Sequence, residues 1–109
     1  MGYAERRDHM QWCVITYDGT DDQALDRRNA ARPFHRAEAA ELEKNGHLIC
    51  GGGIRNAEDE SIGSVMMLNF DTQEEFDEWY ATEPFITMGV WKKIEVLPFK
   101  ITVAQSMPK

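Results

Sequence analysis

An α+β fold, built as one antiparallel sheet with its helices gathered on one face, is what this sequence predicts. Three observations lead there. Runs rich in β-branched and aromatic side chains occur near residues 11–18, 48–50, 64–70 and 94–103. Between them lie two stretches of helix-favouring composition, one near 23–45 and one opening at Thr72. The chain has 109 residues, 42% of them apolar, with three Trp and five Phe, enough for one real core. A single domain over 1–109 is expected, its core near 11–103, with 1–9 as an N-terminal extension.

Each element has its own warrant. Gln11-Trp12-Cys13-Val14-Ile15-Thr16-Tyr17-Asp18 reads as a strand, stopped by Asp18-Gly19-Thr20-Asp21-Asp22. The Ala-, Glu- and Arg-rich stretch that follows reads as helix, ending at Asn45 with Gly46 as its C′ residue. Pro33 lacks an N–H and clashes with the preceding turn, which predicts a short helix over 23–31 and a main helix starting near Pro33. At about 100° per residue, Phe34, His35, Glu38, Ala39 and Leu42 share the inward half of that main helix.

Leu48-Ile49-Cys50 reads as a second strand running into Gly51-Gly52-Gly53, and Glu58-Asp59-Glu60-Ser61 as a polar loop. Ser64–Phe70 is nearly all apolar, as a central strand should be. Thr72 with Glu75 forms a capping box, and Phe76, Trp79 and Tyr80 mark the inner face of the helix it opens. Pro84 suits the first turn of another short helix, with Glu83 at its mouth. In the last strand, Ile94 and Val96 share one face while Leu97, Phe99, Ile101 and Val103 share the other. That change of phase predicts a bulge or break near Pro98.

The order β-α-β-β-α-β closes most simply as a ferredoxin-like antiparallel sheet with both main helices on one face. The other face would then be bare, and a second copy packed sheet to sheet would cover it, giving a homodimer or a higher oligomer. A formal net charge of −7 repels phosphate backbones and anionic lipid, which disfavours nucleic acid and membrane surfaces as partners. No apolar run approaches the roughly 20 residues of a membrane span. The first nine residues lack the apolar core of a signal peptide, and Cys13 and Cys50 read as reduced thiols buried in strands, so a cytoplasmic protein is expected.

His35 is the residue with the most chemical promise. An imidazole whose ordinary pKa is about 6.5 supplies a neutral base at pH 7, provided a partner holds its other nitrogen. The plain alternative is a core-facing histidine bonded to backbone. Glu83 can serve as that partner, or simply as an acid favoured by a helix start. Arg28 and Arg32 can hold an anionic or phenolate ligand, or pair with surface acids. Gly51, Gly52 and Gly53 allow a close approach by a ligand, and Ser64 can lend a hydroxyl, although a strand serine is more often structural. No nucleotide-binding glycine pattern, zinc-ligand spacing or nucleophile triad occurs. His9 and His47 show no ligand spacing, and His47 reads as an exposed strand-start residue.

Taken in order, Arg28-x-x-x-Arg32-Pro33-x-His35, Gly46-x-Leu48 into Gly51-Gly52, Gly63-Ser64, Phe70, Trp79, Glu83-Pro84-Phe85, Gly89-Val90 and Val96-Leu97-Pro98-Phe99 form a specific pattern. It resembles the YciI-like (YCII) family of small bacterial proteins over roughly residues 11–102. The resemblance implies a dimeric ferredoxin-like α+β fold of the α+β barrel type, and a site built on a His–Asp pair beside the sheet. The histidine carries over onto His35. The carboxylate carries over onto Glu83, where the family more often has Asp. One activity within the family resembles dehydrochlorination of a chlorinated hydroxyhydroquinone.

Two functions follow as expectations. The first is an enzyme of proton-transfer type, a lyase of dehydrochlorinase-like kind or an isomerase, acting on a small cyclic or aromatic substrate. In it His35 and Glu83 are catalytic, and Arg32, Arg28, Gly52 and Ser64 bind substrate, with no cofactor or metal required. The second is a non-catalytic module that holds a small molecule in the same pocket. A purely structural dimerisation unit would instead fill that pocket with core side chains.

Overall fold

The computed structural model describes residues 10–105. The segment 1–9, expected to be an extension without a signal peptide, lies outside the described residues, as do His9 and residues 106–109. The elements run β1 (Met10–Asp18), α1 (Ala24–Lys44), β2 (Leu48–Arg55), β3 (Ser61–Phe70), α2 (Gln73–Thr82), α3 (Pro84–Thr87) and β4 (Trp91–Phe99). The strands form one sheet in the order β2-β3-β1-β4, antiparallel at every pairing. This is the ferredoxin-like α+β arrangement that the element order predicts.

Alternation along the two central strands decides what is buried. Trp12 and Val14 of β1 pair with Leu68 and Met66 of β3 on the face that meets the helices. Phe70, Phe76, Trp79, Phe85, Val90, Trp91 and Ala31 complete the core, with the Trp12 and Phe76 rings stacked 4.5 Å apart. The capping box on α2 is present: Thr72 Oγ1 accepts from the Glu75 N–H at 3.1 Å. Its return arm goes to the Asp71 N–H, which donates to Glu75 Oε1 at 2.9 Å. Gly63 opens the inner part of β3 for a plain steric reason. A Cβ there would collide with the Thr16 carbonyl of β1.

Four expectations need correction. The break at Pro33 is absent, because α1 is one helix of 21 residues with Pro33 inside it on the exposed side. Before the proline Ala31 is fully buried and Arg28 is tied to Asp18 of β1, and after it His35 is tied to Glu83, so docking on both sides outweighs the single lost hydrogen bond. Phe34 is exposed, since it lies about 100° from His35 and falls past the edge of the inward arc. The far end of α1 closes as expected: Gly46, at φ 82°, lets the His47 N–H reach the Leu42 carbonyl at 2.8 Å and its own N–H reach that of Glu43 at 3.1 Å.

The third correction concerns β4. Pro98 pairs with Trp12 in unbroken register, and the only register shift against β1 lies at the other end, between Tyr17 and Asp18. An edge strand tolerates proline because one side of its backbone needs no ladder bond. The apparent change of phase is instead two apolar faces of one regular strand: Ile94 and Val96 pack against the core, and Leu97 and Phe99 point outward. The strand ends at Phe99, so Ile101 and Val103 lie beyond it. Fourth, Cys50 is exposed, since it sits on edge strand β2 facing away from the helices, whereas Cys13 is buried; both are free thiols. No helix among the described residues is long and apolar enough to cross a membrane.

Candidate active site

Because α1 is continuous, Arg28, Arg32, His35 and Ala39 fall on one stripe of it, within about 60° of each other. That stripe overhangs β2, where Gly51 and Gly53 present no side chain toward the helix. The result is a cleft of about 640 Å³. Its walls include Arg28, Arg32, His35 and Arg36 from α1, Gly51–Gly53 and Arg55 from β2, Ser64 from β3, and Phe85 from α3. A volume of this order suits a small organic molecule.

His35 and Glu83 meet. The imidazole Nδ1 lies 2.8 Å from Glu83 Oε1, across a sequence separation of 48 residues. Glu83 ends α2 and caps α3, and the same Oε1 accepts the Phe85 N–H at 2.7 Å. Its side chain is 1% exposed. An oxygen that already accepts from backbone acts as acceptor toward the histidine too, so Nδ1 carries the hydrogen and Nε2 keeps a free lone pair. Below the imidazole lies the Phe85 ring, stacked at 3.9 Å and 8°, while Trp91 meets it edge-on at 5.9 Å. The ring plane is thus held by packing, and its azimuth by the carboxylate.

The extra methylene of Glu83 relative to Asp does not prevent contact. The helix-capping role draws the carboxylate back toward Phe85, and the longer side chain spans what remains to α1.

The other expected residues divide. Arg28 is buried at the inner wall, with Nη1 donating to both oxygens of Asp18 at 2.8 and 2.7 Å and its guanidinium 4.9 Å from the Phe85 ring centre. Its charge is therefore already neutralised. Arg32 has no hydrogen-bond or ion-pair partner among the described residues, and neither has Arg36 one turn on. Ser64 is buried on the cleft floor, where its N–H donates to Thr16 Oγ1 at 3.1 Å. Gly52 lends only backbone, since a Cβ there would point to open space on the side away from the helix. His47 differs from its expected exposure: its Nδ1 bonds the Asn69 carbonyl at 2.9 Å and its ring stacks on Phe70.

Sequence reasoning missed Glu38 as a site residue. It lies one turn beyond His35, and burial together with the adjacent Glu83 carboxylate pushes its carboxyl up to about 8. The only signal was its place on the inward half of the helix. Asp18, Phe85 and Arg36 also escaped notice, because nothing local marks an ion-pair partner, a stacking platform or an unpaired arginine. Among the described residues, no three His, Cys, Asp or Glu side chains converge as a metal site would need.

The YCII-related domain matches residues 10–100. The chain belongs to this family. It is 26% identical over 97 residues to Protein YciI of Escherichia coli O6:H1, an alignment covering 84% of this chain and 97% of that one. An uncharacterized protein of Haemophilus influenzae is 28% identical over 82 residues, covering 70% and 84% respectively. Among solved structures, a 5-chloro-2-hydroxyhydroquinone dehydrochlorinase (TftG) from Burkholderia phenoliruptrix AC1100, in complex with 2,5-dihydroxybenzoquinone, superposes with a TM-score of 0.72. Its identity is 18%, over 84% of this chain and 94% of that one. A dimeric ferredoxin-like protein of unknown function from Jannaschia sp. CCS1 follows at TM-score 0.52 and 15% identity, over 84% and 99%. At such identities the likeness establishes the fold alone.

Proposed function

We propose that this protein is an enzyme of the YCII-related family that moves a proton with His35 on a small cyclic or aromatic substrate carrying negative charge. The observation that carries the reading is the 2.8 Å contact between His35 Nδ1 and the buried Glu83 carboxylate, at the wall of a cleft sized for such a molecule. His35 Nε2 takes the proton, and Glu83 holds the ring in the tautomer and orientation that make this productive. Arg32, unpaired at the cleft wall, steadies the negative charge that develops on the substrate. In an elimination, the C–H electron pair left behind becomes the new double bond and the leaving group departs with its own pair. An isomerisation would return the proton at another carbon.

The structural neighbour that is a dehydrochlorinase, solved with a dihydroxybenzoquinone, supports the elimination variant and an aromatic, oxygen-rich ligand. Neighbours described as dimeric support a homodimer joined across the bare face of the sheet. Two free thiols, one of them exposed, suit a reducing compartment, and we read the protein as cytoplasmic.

The test is turnover of chlorinated hydroquinones, followed by halide release, in the wild type and in His35→Ala. Loss of a general base should lower the rate by roughly 10²–10⁴-fold. Unchanged turnover in the variant would remove His35 from the chemistry. Tight binding of such compounds with no turnover of any of them would favour the non-catalytic module, which the same cleft also serves.

A further inference from the structure

Glu38 has one oxygen, Oε1, sealed from solvent with no hydrogen-bond donor among the described residues. A carboxylate is an acceptor only, and a buried acceptor without a donor is costly. Its close neighbour makes matters worse, for that neighbour is the Glu83 carboxyl, itself buried and itself an acceptor from His35 and from the Phe85 N–H. Two carboxylates side by side cannot both stay ionised out of water. One proton between them turns one acceptor into a donor and removes the like-charge repulsion in a single step.

We propose that Glu38 holds a proton shared with Glu83, making it the third member of a His35–Glu83–Glu38 relay and a positioning residue for the histidine. The titratable group facing Glu38 is Glu83, from the junction of α2 and α3, and His35, one turn back on α1, bonds to that same carboxyl. With the shared proton in place, the three groups carry one negative charge, which sits on Glu83 and is directed at Nδ1. If that proton is lost, two negative charges lie side by side at the imidazole, and their repulsion loosens the carboxylate that holds Nδ1. The shared proton thus sets an alkaline limit to the arrangement that holds the His35 ring in place. Burial and the adjacent Glu83 carboxylate accordingly push the Glu38 carboxyl up to about 8.

The positioning role rests on the reading of His35 as a base, whereas the shared proton does not, and the experiment keeps the two apart. Infrared difference spectra of the wild-type protein, taken on either side of pH 8, should show a protonated-carboxyl stretch that disappears on the alkaline side. Glu38→Gln, which keeps the shape and donates in place of the acid, should abolish that band. NMR signals of the His35 ring should show an inflection near pH 8 in the wild type that vanishes in E38Q. Neither readout needs a substrate, and the wild-type infrared titration stands even if the variant folds poorly. Absence of the band at neutral pH, or its persistence in a folded E38Q, overturns the shared proton. If the band behaves as expected and turnover exists, E38Q should lose the alkaline fall in kcat. An alkaline limb identical in E38Q and wild type overturns the positioning role.

Discussion

At the scale of single residues, the site is a contest between burial and charge, and Glu38 is where that contest can be measured without knowing the substrate. Its carboxyl is raised from an ordinary 4.5 to about 8 in the folded chain. Between those values the native state binds more protons than the unfolded state, so stability falls as pH rises across that window. Below 4.5 both states hold the proton and above 8 neither does, so the curve should be flat at both ends. Glu38→Gln has no proton to lose. Urea midpoints for E38Q should therefore match the wild type's trend in acid and exceed it progressively from about pH 4.5 to 8. Parallel curves throughout would show that Glu38 does not titrate in this way. His35 was legible as a candidate from the Arg-Pro-x-His pattern and its phase on the helix, and Glu83 from its place before Pro84. That Oε1 serves both Nδ1 and a backbone N–H was not legible, because two segments 48 residues apart have to be brought together before the distance exists.

Among the elements, α1 and β2 together make the cleft, and each suggests a substitution. Gly53 faces the helix side opposite Ser64, with no atom closer than 3.8 Å to where its Cβ would be. A valine there suits a strand, its Cβ in ordinary contact with the Gly63 carbonyl, but its methyl groups would occupy the cleft. Gly53→Val is expected to fold with wild-type stability or better and to lose small-molecule binding by tenfold or more, roughly what 1.4 kcal/mol represents. Calorimetry beside thermal melts checks both halves of that statement. Pro33 offers the opposite experiment. Proline inside a helix is unfavourable by about 3 kcal/mol relative to alanine, and Pro33 is exposed with no core contact to lose. Pro33→Ala should raise stability by up to ~3 kcal/mol in denaturant unfolding. A decrease would mean that the proline's rigidity is needed to set the helix.

That same proline shows where local reasoning ends. Propensity alone predicts two helices, because the isolated stretch has nothing to offset a missing hydrogen bond. Docking on the sheet offsets it, and in doing so brings Arg28, Arg32 and His35 onto one stripe.

For the whole molecule, the sheet face that the described helices leave uncovered is the dominant fact. Cys13, Ile15, Val65, Met67, Leu97 and Phe99 lie on the side away from the helices, and Leu97 and Phe99 are exposed. A face of this kind is expected to be covered by a second copy. Leu97→Asp places a charge on that face, at edge strand β4, without touching the helix-side core. By light scattering the wild type should have the mass of a dimer, and L97D should be shifted to the monomer. A wild type that is monomeric at micromolar concentration would refute the assembly directly.

Hydrophobic period, caps and turn residues determined the element order, the antiparallel closure and the central place of β3, since those depend on neighbours a few residues apart. The family pattern marked His35 and Glu83 in the same sequence. Only the tertiary structure decided that α1 stays whole through Pro33, that β4 keeps its register through Pro98, that glycines on β2 open a cleft beneath the helix, and that Glu38 comes to lie beside Glu83. The reason is common to all four. Each is a balance between a local penalty and a gain from packing against a distant segment, and that gain has no trace in the sequence until the sheet has formed.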